Sequence, residues 1–355
     1  MKGKMRRLVS LMLLGVFTAQ FTLTEPEARA QTPATDSITA VFSVGTQIAG
    51  YDPSRRSLRF YSWQGAALQE ERSIAIEGTI SGVTSIPDGY AVATGLGRDN
   101  LSAPIRVMVF MGADPKGRVV FERSGERNQV NAILWRNGKL WLNFFTSKYI
   151  TTIGYLTPTP SGPWSFTETA SIRMGDSLDV VGDLAIVGRS YGDIQGQDGD
   201  IQGQDGDLLL FNGAERSLLP SYRGVRSVRV VGDAANHRIF IGDGWHMNYG
   251  QLAQGRLSVV SKRPNDSRYA LQILDYDPTT TDFRRLIPFH SAGHDYIAAL
   301  GSSSVLIYDQ QGALPKRVLY QQSSQATLMD LAVIQISSDK ALVVVADQGL
   351  RTFEL

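Results

Sequence analysis

Residues Gly182 to Gly213 read GDLAIVGRSYGDIQGQDGDIQGQDGDLLLFNG. An apolar run stands near each end of this stretch, and a long segment rich in Gly and Asp separates the two runs. Short apolar runs bounded by Gly, Asp and Asn are typical of β-strands joined by turns, so the stretch predicts a strand, a long loop and a second strand. Pieces of the same kind recur before and after it, and they predict a fold built from repeats.

The repeat has a period of about 45–50 residues and four predicted strands. One copy has a strand at Gly82–Ile86, a tight turn at Pro87-Asp88-Gly89 and a second strand at Tyr90–Thr94. The next copy has Arg136-Asn137-Gly138 at the same turn, and Asp-Gly and Asn-Gly pairs between apolar runs are strong hairpin signals. The sequence therefore predicts an all-β fold, a β-propeller of four-stranded antiparallel blades, with seven blades favoured over six. A β-sandwich and a β-solenoid are the alternatives.

The last copy has only three predicted strands, and the third of them is Leu350–Glu354. A ring of blades avoids an open sheet edge when a strand from the other end of the chain completes the last blade. We therefore expect an N-terminal strand to close the ring.

The first thirty residues have the features of a secretory signal peptide. A basic start precedes the apolar run Leu8–Phe17, and Ala28-Arg29-Ala30 precedes the predicted cleavage point. The apolar run is shorter than the roughly 20 residues that span a bilayer. We expect residues 1–30 to be the signal peptide, 31–36 a flexible mature N-terminus and 37–355 a single propeller domain. The predicted product is periplasmic or extracellular and is not inserted in the membrane after cleavage; an uncleaved N-terminal anchor is the alternative.

Composition excludes several classes of function. The chain has no Cys, which rules out disulfides, thiolate metal sites and Cys nucleophiles. The first thirty residues carry five basic and two acidic side chains, so the formal net charge of the remainder is −2 rather than +1. A chain without a basic run offers no electrostatic case for binding nucleic acid or an anionic membrane.

Two copies of the repeat resemble a known family. Each has a strand, a Gly-Asp turn, an apolar strand that ends in Gly, a loop and a further apolar strand, in Val180–Gly188 (VVGDLAIVG) with Leu208–Gly213 (LLLFNG) and in Val230–Gly242 (VVGDAANHRIFIG) with Gly255–Val260 (GRLSVV). In this they resemble the FG-GAP type of propeller repeat, found in integrin-like and related secreted bacterial proteins. Many members carry a Ca²⁺ loop between the first two strands, but the turns here are too short or too poor in carboxylates. The family's metal sites are therefore not carried over, and no cofactor is predicted.

The seven residues DIQGQDG occur twice in tandem within the opening stretch. Ca²⁺ takes six to eight oxygen ligands, and five aspartates within fifteen residues make the loop a weak Ca²⁺ candidate; they are Asp193, Asp198, Asp200, Asp205 and Asp207. The favoured alternative is a tandem slip in the coding sequence, tolerated because a longer surface loop costs little closure entropy.

A second loop, Gly242–Gly250 (GDGWHMNYG), combines aromatic and polar side chains. A ring that stacks on a ligand, beside polar groups that fix its orientation, suits a sugar or another small polar ligand. The alternative is that the aromatic residues only cover the edge of a blade. Loops after second strands share one face of a propeller, and loops on a rigid scaffold often carry function. The predicted ligand-binding residues on this long-loop face are Arg98, Asp99, Tyr191, Asp243, Trp245, His246, Asn248 and Tyr249.

No catalytic residue is predicted. A G-x-S-x-G elbow is absent, and the one paired His spacing, His290 and His294, lacks the Glu of a His-Glu-x-x-His metal site. The favoured function is a binding module for a protein, a glycan or a small polar ligand. A propeller hydrolase or lyase and a structural part of a cell-envelope assembly are the alternatives, and the fold does not decide among them.

Overall fold

The structure is a computed structural model, and the regular structure of its described residues consists of β-strands. The described residues are 37–95, 104–112, 114, 116–125, 128–147, 149–189, 208–221, 224–243, 255–262, 268–277, 282–322, 328–347 and 349–355. This part of the chain contains no helix that is long and apolar enough to span a bilayer.

The strands form seven antiparallel sheets, numbered as blades 1 to 7 in chain order. Blades 1 and 2 contain β1 (Ala40–Val44), β2 (Gln47–Asp52), β3 (Ser57–Trp63), β4 (Leu68–Ala75), β5 (Ile80–Ile86), β6 (Gly89–Thr94), β7 (Ile105–Met111) and β8 (Arg118–Arg123). Blades 3 and 4 contain β9 (Val130–Arg136), β10 (Lys139–Phe145), β11 (Ile150–Thr157), β12 (Ser165–Arg173), β13 (Gly175–Val181), β14 (Leu184–Arg189), β15 (Leu208–Asn212) and β16 (Glu215–Leu219). Blades 5 and 6 contain β17 (Val225–Gly232), β18 (His237–Asp243), β19 (Gly255–Lys262), β20 (Tyr269–Asp277), β21 (Phe283–Ser291), β22 (His294–Gly301), β23 (Ser304–Asp309) and β24 (Arg317–Gln321). Blade 7 contains β25 (Asp330–Ser337), β26 (Lys340–Ala346) and β27 (Leu350–Glu354).

The first strands of the blades form a closed inner ring. Within each blade the strands pair in chain order. The first strands of consecutive blades are in contact from β1 to β25, and β25 is in contact with β1. The chain is therefore a seven-bladed β-propeller, as predicted, and the innermost strands surround a central channel. The sandwich and solenoid alternatives are wrong.

The predicted hairpin turns are where the sequence placed them. Asn137 and Gly138 both have positive φ, 52° and 72°, between β9 and β10. This is the requirement of a two-residue type I′ turn, which matches the twist of the strands that it joins. Asp88 has a φ of 59° in the turn between β5 and β6. Turn chemistry thus sets the register of the inner hairpin in these blades.

The hydrophobic core lies in the seams between blades rather than at one centre. The buried apolar side chains form seven clusters, and each cluster joins two neighbouring blades. In the seam of blades 7 and 1, Ile38, Val41 and Ile48 pack against Leu342 and Val344. Burial of each such side chain contributes about 1.5–3 kcal/mol, so these apolar seams are the main cohesion of the ring.

The seam of blades 7 and 1 also has polar contacts on the inner strands. The Ser43 hydroxyl donates to the Val333 carbonyl (2.7 Å) and accepts from the Val333 N–H (3.3 Å). The Val41 N–H donates to the Asp330 carboxylate (2.9 Å). Blade 7 has three strands among the described residues. The predicted closing strand would come from residues before 37, which lie outside them.

Candidate functional site

The N-terminal ends of the innermost strands lie at the face that bears the long loops. In blade 5, Val225 at the start of β17 pairs with Asp243 at the end of β18, and the loop predicted to bind ligand begins there. In blade 6, Phe283 pairs in the same way with Gly301. Side chains at the start of the innermost strands therefore lie at the long-loop end of the channel.

Five innermost strands have an extra residue close to this end. The strand pairing skips one residue in each of β5, β9, β13, β17 and β21. A β-bulge of this kind re-aims a side chain and is common near functional sites. The skipped residues are all polar or charged, and they are Ser81, Asn131, Asp176, Arg226 and Arg284.

Four arginines stand on the innermost strands of blades 5 and 6, namely Arg226, Arg229, Arg284 and Arg285. Each side chain keeps between 27% and 29% of its surface exposed. Each also lies within ion-pair distance of an aspartate on or beside an innermost strand. They form the largest group of cations among the described residues of these strands.

Two of the arginines reach across more than one blade. From blade 5, Arg229 Nε donates to the Leu286 carbonyl of blade 6 (3.2 Å), while Nη1 lies 3.4 Å from Asp179 of blade 4. From blade 6, Arg285 donates to Asp330 of blade 7, and its guanidinium lies 5.5 Å from the ring centroid of Phe42 in blade 1. A side chain can touch blades on both sides of its own, or two blades further on, only along the inner wall. Arg229 and Arg285 therefore line the channel.

The other two arginines share one aspartate at the long-loop end. Arg226 Nε lies 3.5 Å from one oxygen of Asp282, and Arg284 Nε lies 3.9 Å from the other. The Arg284 guanidinium also donates to the Gly301 and Leu328 carbonyls, which ties blade 6 to the start of blade 7. The pKa of Arg284 is lowered, chiefly by burial. The carboxylates of Asp282 and Asp330 raise this pKa, and the positive charge of Arg226 lowers it further. These side chains thus form one electrostatic group.

Two of the aspartates are held by backbone N–H groups. The Asp179 carboxylate accepts from the N–H of Val180 (2.9 Å) and from that of Val230 in the next blade (2.8 Å). The Asp330 carboxylate accepts in the same way from Leu331 (2.9 Å) and, across the ring closure, from Val41 (2.9 Å). Since buried carboxylates need such donors, these two anions are fixed in the wall behind the arginines.

In this region the partly exposed charges are mainly positive, and the buried charges are negative. The four arginines are matched by four aspartates, Asp176, Asp179, Asp282 and Asp330, so the formal net charge is zero. The side chains of Asp179, Asp282 and Asp330 are only 1%, 9% and 13% exposed. Asp176 is partly exposed, so the channel wall here mainly presents guanidinium N–H donors beside one accessible carboxylate, and the other three carboxylates are turned inward.

Asp243 is the one predicted site residue that the structure describes. Its side chain is fully buried, and Oδ1 accepts from Arg256 Nε (2.9 Å) on the neighbouring strand. Oδ2 has no hydrogen-bond partner among the described residues. Burial raises the pKa of Asp243 to about 6, although Arg256 lowers it. Asp243 is thus a buried residue at the C-terminal end of β18 and not a side chain on the surface.

The other predicted site residues lie outside the described residues. They are Arg98, Asp99, Tyr191, Trp245, His246, Asn248 and Tyr249, together with the weak Ca²⁺ candidates Asp193, Asp198, Asp200, Asp205 and Asp207. The three loops that contain these residues follow β6, β14 and β18, which are the second strands of blades 2, 4 and 5. The described C-terminal ends of these strands lie at the same face. Within the described ranges, no group of three His, Cys, Asp or Glu side chains could hold a metal ion.

The paired histidines lie at the opposite face. Ser291 pairs with His294 across the turn from β21 to β22, so the two histidines flank a hairpin. His290 Nδ1 lies 2.9 Å from Asp295, whereas His294 Nδ1 lies 3.5 Å from Asp309. The two histidines therefore lie beside different carboxylates.

The channel arginines were missed from the sequence, although a signal was present. Blade 4 reads DSLDVVGD from Asp176, and blade 5 reads RSVRVVGD from Arg226. The shared VVGD identifies the repeat, and two positions just before it carry opposite charges in the two blades, Asp176 against Arg226 and Asp179 against Arg229. Adjacent repeats that exchange Asp for Arg at equal positions indicate an ion pair across a seam, which the structure contains between Asp179 and Arg229.

The comparisons with known proteins support the fold alone. The chain is similar to Kuenenia stuttgartiensis hydrazine synthase, with 10% identity, a TM-score of 0.58 and coverage of 94% of this chain and 99% of that one. It is similar to the propeller domain of Myceliophteria thermophila Cps50 (Swd1), with 9% identity, a TM-score of 0.57 and coverage of 92% and 99%. It is also similar to a chain of the S. cerevisiae complex of Dbp5 with Nup159, Gle1, IP6 and ADP, with 10% identity, a TM-score of 0.55 and coverage of 90% and 89%. No protein-family model matches the sequence, and no curated protein matches it.

Proposed function

We propose that this protein is an exported binding module that recognises a polar ligand through the long-loop end of its central channel. The ligand is part of a protein, part of a glycan or a small polar molecule. The observation that carries the proposal is the group of four partly exposed arginines on the innermost strands of blades 5 and 6. Concave sites with a few fixed polar groups are the usual form of a ligand site.

Binding is favoured over catalysis because of the state of the channel carboxylates. A general acid or base must exchange a proton with the substrate. Asp179 and Asp330 instead accept from backbone N–H groups and from arginines, so they serve the wall of the channel. The similar chain in the Dbp5 complex belongs to a protein assembly, which supports a protein as one class of ligand. Membership of the FG-GAP type stays a prediction.

One observation favours the second candidate, a hydrolase or lyase. Asp243 is a buried carboxyl group whose pKa is raised to about 6, and strongly shifted carboxyl groups are common at catalytic sites. It lies at the start of the loop that carries Trp245 and His246. Turnover of a ligand, abolished in Asp243→Asn, would assign this second function.

The proposed function is tested by a ligand screen on residues 31–355. Glycan and peptide arrays, together with capture from envelope extracts, would be compared for the wild type, Trp245→Ala and Glu215→Ala. Glu215 is exposed at a turn on the opposite face and serves as the matched control. We expect one ligand whose binding is lost in Trp245→Ala and kept in Glu215→Ala. A ligand that binds both variants equally would contradict use of the long-loop face. Melting temperatures with Ca²⁺ and with EDTA would show whether the predicted absence of a metal cofactor is correct.

A further inference from the structure

We propose that the long-loop end of the channel binds an oxyanion group of the ligand, a carboxylate or a phosphate, through the arginines of blades 5 and 6. The inference rests on the proposed function, since it names the chemistry recognised at the same end of the channel. Three features of the channel support it: N–H donors of the arginines that remain for a ligand, aspartates held in fixed positions, and the difference in charge between these blades and the rest of the ring.

The channel-lining Arg229 and Arg285 have N–H donors that can serve a ligand. A guanidinium has five N–H donors in a planar fork that matches the two oxygens of a carboxylate or phosphate. Among the described residues, Arg229 directs Nε to the Leu286 carbonyl and Nη1 to Asp179, and Arg285 directs Nη1 to Asp330. Each guanidinium therefore keeps further N–H donors, and both side chains remain more than a quarter exposed.

The aspartates that pair with these arginines are fixed in position. The backbone N–H groups of Val230 and Val41 hold Asp179 and Asp330 in the wall, so these carboxylates cannot turn to cover the exposed side of the arginines. A ligand oxyanion would thus meet guanidiniums whose positions are already fixed. Binding to a preorganised site avoids the cost of ordering side chains. The same arrangement disfavours a cation, which would face the four arginines.

The charge of the bulge residue differs from blade to blade around the ring. At the bulge positions, blades 2 and 3 have the neutral Ser81 and Asn131, and blade 4 has the acidic Asp176. Among these described positions, only blades 5 and 6 have cations, Arg226 and Arg284. Charge-assisted hydrogen bonds are roughly twice as strong as neutral ones. The anionic group of the ligand is therefore assigned to blades 5 and 6, and neutral polar groups of the ligand to the opposite side.

The test uses inorganic phosphate and citrate as probes, with chloride at equal ionic strength as the reference. Calorimetric titration and thermal unfolding would be measured on the wild type, Arg226→Gln and Arg106→Gln. Arg106 forms an exposed ion pair with Glu122 on blade 2, so it is a matched loss of one arginine away from the cluster. We expect Arg226→Gln to weaken anion binding by about tenfold or more, in line with the loss of one charge-assisted hydrogen bond. Arg106→Gln should bind as the wild type does.

Phosphate also stabilises proteins in general by exclusion from their surface, so the difference between the variants is the readout. Equal binding by the wild type and Arg226→Gln, or no binding by the wild type beyond that of chloride, would overturn the inference. Arg226→Lys is the second variant, for the case that Arg226→Gln does not fold. It keeps the charge that faces Asp282 but loses the fork, so weaker anion binding is again expected.

The outcomes separate this inference from the proposed function. The oxyanion groups of citrate are all carboxylates and that of phosphate is tetrahedral, so their ratio of affinities assigns the kind of oxyanion that is recognised. A neutral ligand from the screen that loses binding in Trp245→Ala, with no anion effect of Arg226→Gln, would leave the proposed function standing and overturn the oxyanion site. Anion binding that depends on Arg226, without any ligand for the loops, would do the reverse.

Discussion

The innermost ring has two parts that share a backbone and differ in charge. The neutral arc consists of β1, β5 and β9, where the only charged side chain is Arg136 at the last position of β9. The charged arc consists of β13, β17, β21 and β25. Its aspartates lie on β13 and β25, and its arginines lie on β17 and β21, between those two strands. Both arcs contain the same bulge near the long-loop end. The backbone of the repeat therefore forms without these charges, which points to a role for them beyond folding.

The largest expected effect comes from the point where the two arcs meet. Asp330→Ala removes the acceptor of the buried Val41 N–H and the carboxylate partner of the partly exposed Arg285. Breaking one side of such a pair costs about 3–5 kcal/mol, so we expect a loss of about 3 kcal/mol in the free energy of unfolding by urea. Ser43→Ala, which removes only the two neutral hydrogen bonds to Val333 in the same seam, should cost about 1–2 kcal/mol. Equal losses in the two variants would mean that charge contributes nothing special to this seam.

A second comparison uses one register position in two blades. Thr94 stands opposite Arg106 in blade 2, and Asp243 stands opposite Arg256 in blade 5. The pKa of Asp243 is about 6 in the folded state, above its ordinary value near 4. At pH values between these two, the folded state therefore binds more protons at this carboxyl group than the unfolded state does. Asp243 thus lowers the stability of the wild type as pH rises from about 4 to 6, by an amount on the order of 2–3 kcal/mol.

Asp243→Asn carries no such proton and should lack this loss. We expect its free energy of unfolding to rise relative to that of the wild type from pH 4 to pH 6, and the difference to stay constant above about pH 7. Urea unfolding at each pH measures the difference between the two proteins, which removes the effects of all other carboxylates. A difference that is flat from pH 4 to 7, or that changes in the opposite direction, would show that the Asp243 carboxyl is not raised.

A smaller effect is expected from the ion pair between blades 4 and 5. Arg229→Gln removes the 3.4 Å contact with Asp179 and the hydrogen bond to Leu286. Because Asp179 is buried, we expect a loss of about 1–2 kcal/mol. Arg106→Gln breaks an exposed pair between β7 and β8, outside the innermost ring, and should cost less than about 0.5 kcal/mol. Thermal unfolding of the two variants decides the point, and an equal cost would remove the distinction between wall and surface pairs.

The fold could be read from the sequence because its signals are local. Apolar alternation and turns such as Asn137-Gly138 set each hairpin, and repetition then sets the ring. The channel pairs are not local, since Arg229 and Asp179 lie fifty residues apart and meet only because adjacent blades stack. The bulges at Arg226 and Arg284 leave no mark in composition or period. Likewise, the burial of Asp243 depends on neighbours that no local pattern identifies, so a residue predicted to bind a ligand at the surface is instead buried.

The smallest effect is expected from the duplicated loop of blade 4, at the start of the charged arc. Eighteen residues separate Arg189 from Leu208, and deletion of 200–206 would leave eleven. Closure entropy changes with the logarithm of loop length, so this deletion should alter the free energy of unfolding by only about 0.4 kcal/mol. If the second DIQGQDG copy arose by a tandem slip, the deleted chain will have the same melting temperature as the wild type with Ca²⁺ and with EDTA. A Ca²⁺-dependent rise in melting temperature that only the full-length loop shows would instead assign a metal to its aspartates. The protein would then hold a bound cation in a loop that starts at the long-loop face, and the ligand chemistry proposed for the channel would have to include it.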